Sequence, residues 1–319
     1  MGLPASPVGT IATIGGQTAP VGTRILRCIS NYAGRMDPIR RLRRPDLRRP
    51  RAVLAFEGWN DACDAASGTA AFLLGQHENE EPFALIEPEE FYDFQQRRPT
   101  VSIEDGGTRS LTWPTTRFYG LPQPNAGGDL ILVLGEEPHL RWKTYTRHVA
   151  QVLADSDTEI IVTLGAFIGQ VAHTRPVPVY GVATDPDLVA AHGLPTTQYE
   201  GPTGILGVLM EACRECGIPT IGLWAACPHY LAANPNPAAM LALTEAAARV
   251  TGIPLETGEV RTVADEFLAK VDEAIAGNDE FRSYVQRLEA EVASGDPIDP
   301  GATGRLISEI EHFLRSRDA

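Results

Sequence analysis

Two groups of residues in this 319-residue chain have the types and spacing for chemistry. The first is Glu200-Gly201-Pro202-Thr203-Gly204, followed by an apolar run that begins a helix. Gly201 and Gly204 let the backbone turn sharply and come close to a guest, and the free N–H groups at a helix start favour a negative group. Pro202 sets the entry angle, and Thr203 can donate its hydroxyl or cap the helix. The same residues serve equally as a plain helix cap, with glycines for close packing of helix on sheet. The stretch lacks the Gly-Lys-Ser/Thr ending of a Walker loop, and glycines at 201, 204 and 207 do not make a dinucleotide fingerprint.

The second group follows apolar strand-like runs. Glu57, Asn60, Asp61 and Asp64 come after one run, Glu136 and Glu137 after another, and His229 after a third. In an open parallel sheet, ligands bind beyond the carboxyl ends of the strands. The expected pocket is therefore lined by Glu57, Asn60, Asp61, Glu136, Glu200, Gly201, Thr203, Gly204 and His229. Its carboxylates can hold a divalent cation or act as acid and base. Asp61 and Glu136 can equally be helix caps, and His229 can be a general base or a structural hydrogen-bonding group. There is no GxSxG elbow and no HExxH, and Cys63 and Cys227 have no partner pattern. No residue is assigned a catalytic role, and no cofactor or metal is expected.

The elements that must position these residues alternate from Arg51 onward. RAVLAFEG reads as a strand, DACDAASGTAAFLLGQH as a helix and FALIEP as a strand. TVSIEDGGTRSLTWPTTRFYG follows as a β-rich insert turning at Asp105-Gly106-Gly107. DLILVLG, EIIVTLG, VPVYGVAT and PTIGLWAAC are further strands, with helices in WKTYTRHVAQVLADS and TGILGVLMEACRECG. Runs such as ILVL and IIVTL are too continuous for half-exposed strands and read as parallel strands covered on both faces. The expected fold is α/β, a three-layer αβα sandwich with a local hairpin insert. Beyond it come helices only, with Val263, Phe267, Val271, Ile275, Phe281, Val285 and Leu288 at helical spacing. This gives a flexible segment at 1–50, an αβα core at 51–234 and a helical subdomain at 235–319. Met36 is the expected natural start.

Composition narrows the partners. Residues 1–51 hold ten arginines and two aspartates, net +8; with −14 overall, the remainder carries −22. A body this acidic does not suit nucleic acid, whose phosphates need a basic face. No apolar stretch approaches the roughly 20 residues of a membrane span, and no secretory leader pattern is seen. Five cysteines, an odd number, argue against a disulfide framework and for the cytoplasm. Cys213 and Cys216 read as ordinary residues near a helix end.

Three strings together carry a resemblance: FEGWNDA, YEGPTGILGVL and GIPTIGLWAACPHYLAANPNP. They are similar to the bacterial branch of the proteasome-assembly-chaperone family, and the likeness spans about residues 50–317, through IDPGATGRLISEIEHFLR. It implies a sandwich resembling the nucleoside phosphorylase and peptidyl-tRNA hydrolase type. It also implies work through protein contacts, as a homo-oligomer and with a proteasome-related partner. Eukaryotic and archaeal relatives dock a tail ending in hydrophobic, tyrosine, any residue, a pattern that FLRSRDA does not follow. The alternative is a phosphorylase- or hydrolase-like enzyme, or a small-molecule binder, using the strand-end pocket. An ATP-grasp ligase is ruled out by having only two lysines, Lys143 and Lys270.

Overall fold

The computed structural model describes residues 37–77, 80–104, 107–197, 199–232 and 235–294. The chain divides after Asp37 into two units, and every element below belongs to the second. Met36, the Asp105-Gly106 turn and the segment after 294 lie outside the described residues.

Ten strands are described: β1 (Ile39–Arg41), β2 (Arg51–Glu57), β3 (Ala84–Ile86), β4 (Thr100–Ile103), β5 (Arg109–Thr112), β6 (Thr116–Leu121), β7 (Leu130–Glu136), β8 (Ile160–Gly169), β9 (Val179–Ala183) and β10 (Thr220–Pro228). The α-helices are α1 (Ala65–Gly75), α2 (Trp142–Asp155), α3 (Pro186–Ala191), α4 (Ile205–Glu215), α5 (Pro237–Thr251), α6 (Gly258–Ala276) and α7 (Asp279–Ser294). Short 3-10 turns occupy Ala62–Asp64 and His229–Leu231.

Eight strands form one sheet in the order β1-β3-β6-β7-β2-β8-β10-β9. The continuous apolar runs lie at its centre, where β2 pairs in parallel with β7 and β8, and β8 in parallel with β10. Antiparallel strands flank this centre, with β6, β3 and β1 on one side and β9 on the other.

Successive side chains along a strand point to opposite faces, so each central strand feeds two cores. Val53, Ala55, Leu132 and Val162 pack with Ala66, Ala70 and Leu73 of α1 and with Leu243, Ala246 and Ala247 of α5. Ala52, Leu54, Phe56, Val133 and Ile161 pack with Tyr145 and Val149 of α2 and with Ile205 and Leu209 of α4. The molecule is thus mixed α/β, with a large central sheet covered on both faces by helices. Helix α5, within the range read from sequence as a separate helical part, belongs to one of these covering layers.

Two sequence expectations shift. In the stretch 1–50 read as flexible, Ile39 is buried and β1 pairs antiparallel with β3, so the fold takes in residues ahead of β2. The insert is also shorter than its sequence suggests. Only β4 and β5 form a separate hairpin, with Val101 opposite Leu111, whereas β6 joins the main sheet because Phe118 and Leu121 are fully buried.

The last helices make a third core. Val271 and Ile275 of α6 and Phe281, Tyr284, Val285 and Leu288 of α7 close over Tyr230 and Leu231 at the end of β10. Val263, placed on the same apolar face by its spacing, is exposed.

Candidate functional site

The site begins where β2 and β7 end side by side. Their register sets Glu57 directly beside Glu136. Two neighbouring carboxylates repel, and a cation between them relieves the repulsion. That cation is Arg97, from the irregular connection between β3 and β4. It forms an ion pair with Glu136, including a 2.9 Å hydrogen bond from Nη2, and reaches Glu57 at 3.5 Å. Burial, and then the Glu136 charge, still raise the Glu57 carboxyl, with Arg97 opposing them.

After Glu57 the chain turns at Gly58, whose φ of +127° belongs to glycine's part of conformational space. A Cβ here would stand 2.9 Å from Glu137 Cβ. The missing side chain lets Glu137 enter behind the strand end. Its carboxylate accepts hydrogen bonds from the Ile205 amide at 2.7 Å, Asn60 Nδ2 at 3.3 Å and the Trp59 amide at 3.4 Å.

At the α4 N-terminus the Ile205 amide thus donates to a carboxylate of the same chain, that of Glu137. Gly204 is the N-cap, and a Cβ on it would fall within 2.3 to 2.8 Å of the Asn60 amide group. The Thr203 hydroxyl folds back toward Gly207. Glu200, Gly201 and Thr203 lie exposed on the loop, where Tyr199 donates to the Pro202 carbonyl at 2.9 Å.

Asp61 takes the capping alternative. Its Oδ1 accepts from the Ala66 and Ser67 amides at 2.7 and 3.1 Å, satisfying the free donors of α1. It reaches them because Cys63 and Asp64 adopt left-handed φ values of 56° and 49°, which fold the 3-10 turn ahead of the helix. The Cys63 thiol there donates to the Leu231 and Ala232 carbonyls at 3.7 and 3.8 Å, and the Cys227 thiol donates to the Ala62 carbonyl at 3.8 Å. Burial raises the Asp61 carboxyl, against the pull of the Ser67 hydroxyl and of the two amides.

Glu57, Asp61, Asp64 and Glu136 share the wall of a cleft of about 740 Å³ with Arg117 and Tyr119 of β6. Asn60 and Gly204 are not among its lining residues; Asn60 Nδ2 donates to Glu137, and Gly204 lies against the Asn60 side chain. His229 is not among the residues lining this cleft. Its Nε2 lies 2.7 Å from the Tyr284 hydroxyl, its ring stands edge-on to Tyr230 and Tyr284, and burial lowers its pKa. The strand-end rule placed His229 at the rim, but α7 folds over that end of β10 and takes it into a packing contact.

Sequence reading also passed over His173, which bridges the Tyr230 hydroxyl at 2.7 Å and Asp272 of α6 at 3.1 Å. Tyr230 is fully buried and its phenol is pushed far up by burial, so this chain of groups is a clamp on α6. Arg97, Arg117 and Tyr119 were missed as well; the alternation along β6 was the one available signal, for Arg117 and Tyr119. Among the described residues, no group of three His, Cys, Asp or Glu side chains is arranged to hold a metal ion.

Comparison with known proteins places this architecture. The PAC2 family pattern matches residues 55–275. A PAC2 family protein from Streptomyces avermitilis is 44% identical, with a TM-score of 0.69, and the match covers 74% of this chain and 99% of that one. A proteasome-assembly chaperone homologue from Mycobacterium tuberculosis is 38% identical, with a TM-score of 0.67, covering 73% of this chain and 99% of its own. Pyrococcus furiosus PbaB, an archaeal proteasome activator, shares the fold at 21% identity and a TM-score of 0.55, over 73% and 98% of the two chains. No curated protein matches the chain. With the family pattern matching residues 55–275, more than half of the chain, and with two solved bacterial relatives matched over nearly their whole length, the chain belongs to the PAC2 family.

Proposed function

We propose that this protein works as a proteasome-assembly-chaperone-like factor, through contacts with other protein chains and with a proteasome-related partner. The observation that carries this reading is the 38% identity to the Mycobacterium tuberculosis proteasome-assembly chaperone homologue over 99% of that chain. The surface is consistent with it. Trp59 is 61% exposed, Tyr199 is 63% exposed, and Phe167 and Ile168 are also exposed, all at the carboxyl ends of the parallel strands or on the loop feeding α4. Aromatic side chains on a rim are the usual anchors of protein interfaces.

The finer points of the reading rest on the resemblance. The sandwich is taken to be of the nucleoside phosphorylase and hydrolase type, and the working form to be a homo-oligomer in the cytoplasm. The free thiols of Cys63, Cys213, Cys216 and Cys227 fit a reducing compartment, and the acidic body fits protein partners better than nucleic acid.

The test is direct binding to purified proteasome core subunits of the source organism, with light scattering for the oligomer. Binding at micromolar concentration that weakens in a Trp59→Ala, Tyr199→Ala double variant supports the reading. A monomer that binds no subunit, under conditions that hold a known assembly complex together, sinks it.

A further inference from the structure

Two of the free cysteines form a pair that a protein-contact role does not require. Cys63 lies in the 3-10 turn ahead of α1, Cys227 lies next to last in β10, and both side chains belong to one hydrophobic core. The Cys227 sulfur stands 3.8 Å from the carbonyl of Ala62, the residue bonded to Cys63. The Cys63 sulfur in turn lies 3.7 and 3.8 Å from the carbonyls of Leu231 and Ala232, just past the end of β10. Each sulfur is thus set against the segment that carries the other. Each is also the first influence on the other's ionisation, lowering the Cys63 thiol and raising that of Cys227.

The backbone singles out Cys63 as well. Its φ of 56° and ψ of 29° are left-handed, a conformation in which a Cβ crowds the following carbonyl. The turn that lets Asp61 cap α1 needs this conformation, but it does not need a side chain there, and glycine would adopt it with less strain. A strained position that carries a thiol, facing a second thiol from a different element, points to use of the sulfur. Cys63 retains 8% exposure whereas Cys227 has none, so a small oxidant meets Cys63 first.

We infer that Cys63 and Cys227 are a modification site, a dithiol that a hydroperoxide converts to an internal disulfide joining the start of α1 to the end of β10. The Cys63 sulfur attacks one peroxide oxygen and the O–O bond breaks. The second oxygen leaves as water or an alcohol with the thiol proton, and Cys63 becomes a sulfenic acid. The Cys227 thiol then attacks the Cys63 sulfur and expels water, so that two thiols give up two electrons and one hydroperoxide accepts them. A reversible pair of this kind suits a reducing compartment, where lasting disulfide frameworks are rare and transient, redox-sensing ones are the usual form. The inference goes beyond the protein-contact reading and does not depend on it.

The experiment counts thiols in the full chain. Cys28→Ser, Cys216→Ser removes Cys28 and the exposed Cys216, leaving Cys63, Cys213 and Cys227. Burial pushes the Cys213 thiol up to about 12, which keeps it protonated as an internal control. The folded protein is treated with hydrogen peroxide, quenched, unfolded and labelled with N-ethylmaleimide, and its intact mass is read. Expected is a fall from three labels to one, restored to three by dithiothreitol, with a peptide map showing Cys63 linked to Cys227. Cys63→Gly, which suits the left-handed backbone, and separately Cys227→Ala, in the same background, should each keep both remaining labels. If Cys227→Ala folds poorly, Cys63→Gly and the peptide map still decide. Retention of all three labels at a peroxide dose that fully oxidises glutathione overturns the inference. A linkage through Cys213, or conversion of Cys63 to a sulfinic acid with Cys227 still free, overturns it equally.

Discussion

The Glu137 carboxylate accepts a 2.7 Å hydrogen bond from the Ile205 amide, joining the end of β7 to the start of α4 across 68 residues of sequence. A helix start of this kind would ordinarily receive a phosphate or other free anion. Here the negative group is covalently part of the protein. Removing it in Glu137→Ala leaves the Ile205 amide and the Asn60 amide group without their acceptor, which costs about 1 to 3 kcal/mol. Glu137→Gln keeps an acceptor and should cost less. Urea denaturation of the two variants checks the order, and phosphate should leave the wild-type melting temperature unchanged.

Gly204 is required by its neighbour and not by its own backbone. Its φ and ψ of −91° and −167° are open to alanine, but the added Cβ would meet the Asn60 side chain at 2.3 Å. Gly204→Ala should therefore destabilise by about 1 to 3 kcal/mol, the scale of overpacking, and Asn60→Ala should recover part of that loss in a double-mutant cycle. Gly207→Ala is the milder contrast, since its Cβ would meet chiefly the Thr203 hydroxyl, which can rotate away, with Thr203 Cβ farther off at 3.2 Å. Denaturation midpoints of the wild type and of the four variants decide the matter.

The Asp61 carboxyl is raised, chiefly by burial. The folded protein therefore holds this proton to a higher pH than the unfolded chain does. Stability from this group is fully present at low pH and is lost as pH rises from the unfolded carboxyl value, about 3.9, through the raised folded one. Asp61→Asn removes that dependence. Its stability relative to wild type should be most favourable near pH 7.5 and should decline as the pH falls toward about 4. The Asp61 charge is also one of the smaller causes that raise Glu57, so the substitution relaxes Glu57 as well and adds to the difference in the same direction. Melting temperatures across this range measure the difference, and a gap independent of pH would contradict it.

The helices α6 and α7 depend on a small aromatic cluster. Tyr284 reaches His229 Nε2 at 2.7 Å and stands edge-on to Tyr230, which also meets Phe281. Tyr284→Phe should cost about 1 kcal/mol, one hydrogen bond, whereas Tyr284→Ala should cost roughly 3 to 5 kcal/mol as a large buried aromatic is lost. The core they share is distinct from the two sheet cores. The damage should therefore stay local, seen as earlier proteolytic cleavage around Gly277 and Asn278 with the sheet domain intact.

The sheet was legible because burial on both faces writes itself into sequence. The runs in β2, β7 and β8 have no polar alternation, and all three lie in the parallel centre. The carboxylates at their ends were legible for the same reason, since a strand end is found by where its run stops. What Glu137 touches was not, because the contact depends on Gly58 making room and on α4 arriving from far along the chain. Arg97 comes from a connection without periodicity, so nothing in its sequence aims it at Glu57 and Glu136. His229 was misplaced because a strand-end rule cannot register a helix that begins 50 residues later and folds over the same spot. The left-handed turn at Cys63 and Asp64 carries no glycine to announce it.

The outer strands of the sheet bear on how a partner can be engaged. At one edge β1 is three residues long, two of them arginines. At the other edge β9 is already partly occupied, since the Gly181 amide donates to the Pro195 carbonyl at 2.8 Å and Gly181 bridges Thr196. Neither edge offers the long, uncharged row of free backbone groups on which a foreign strand could zip. The described edges thus discourage backbone pairing by another protein and favour recognition through side chains, where single substitutions can change specificity.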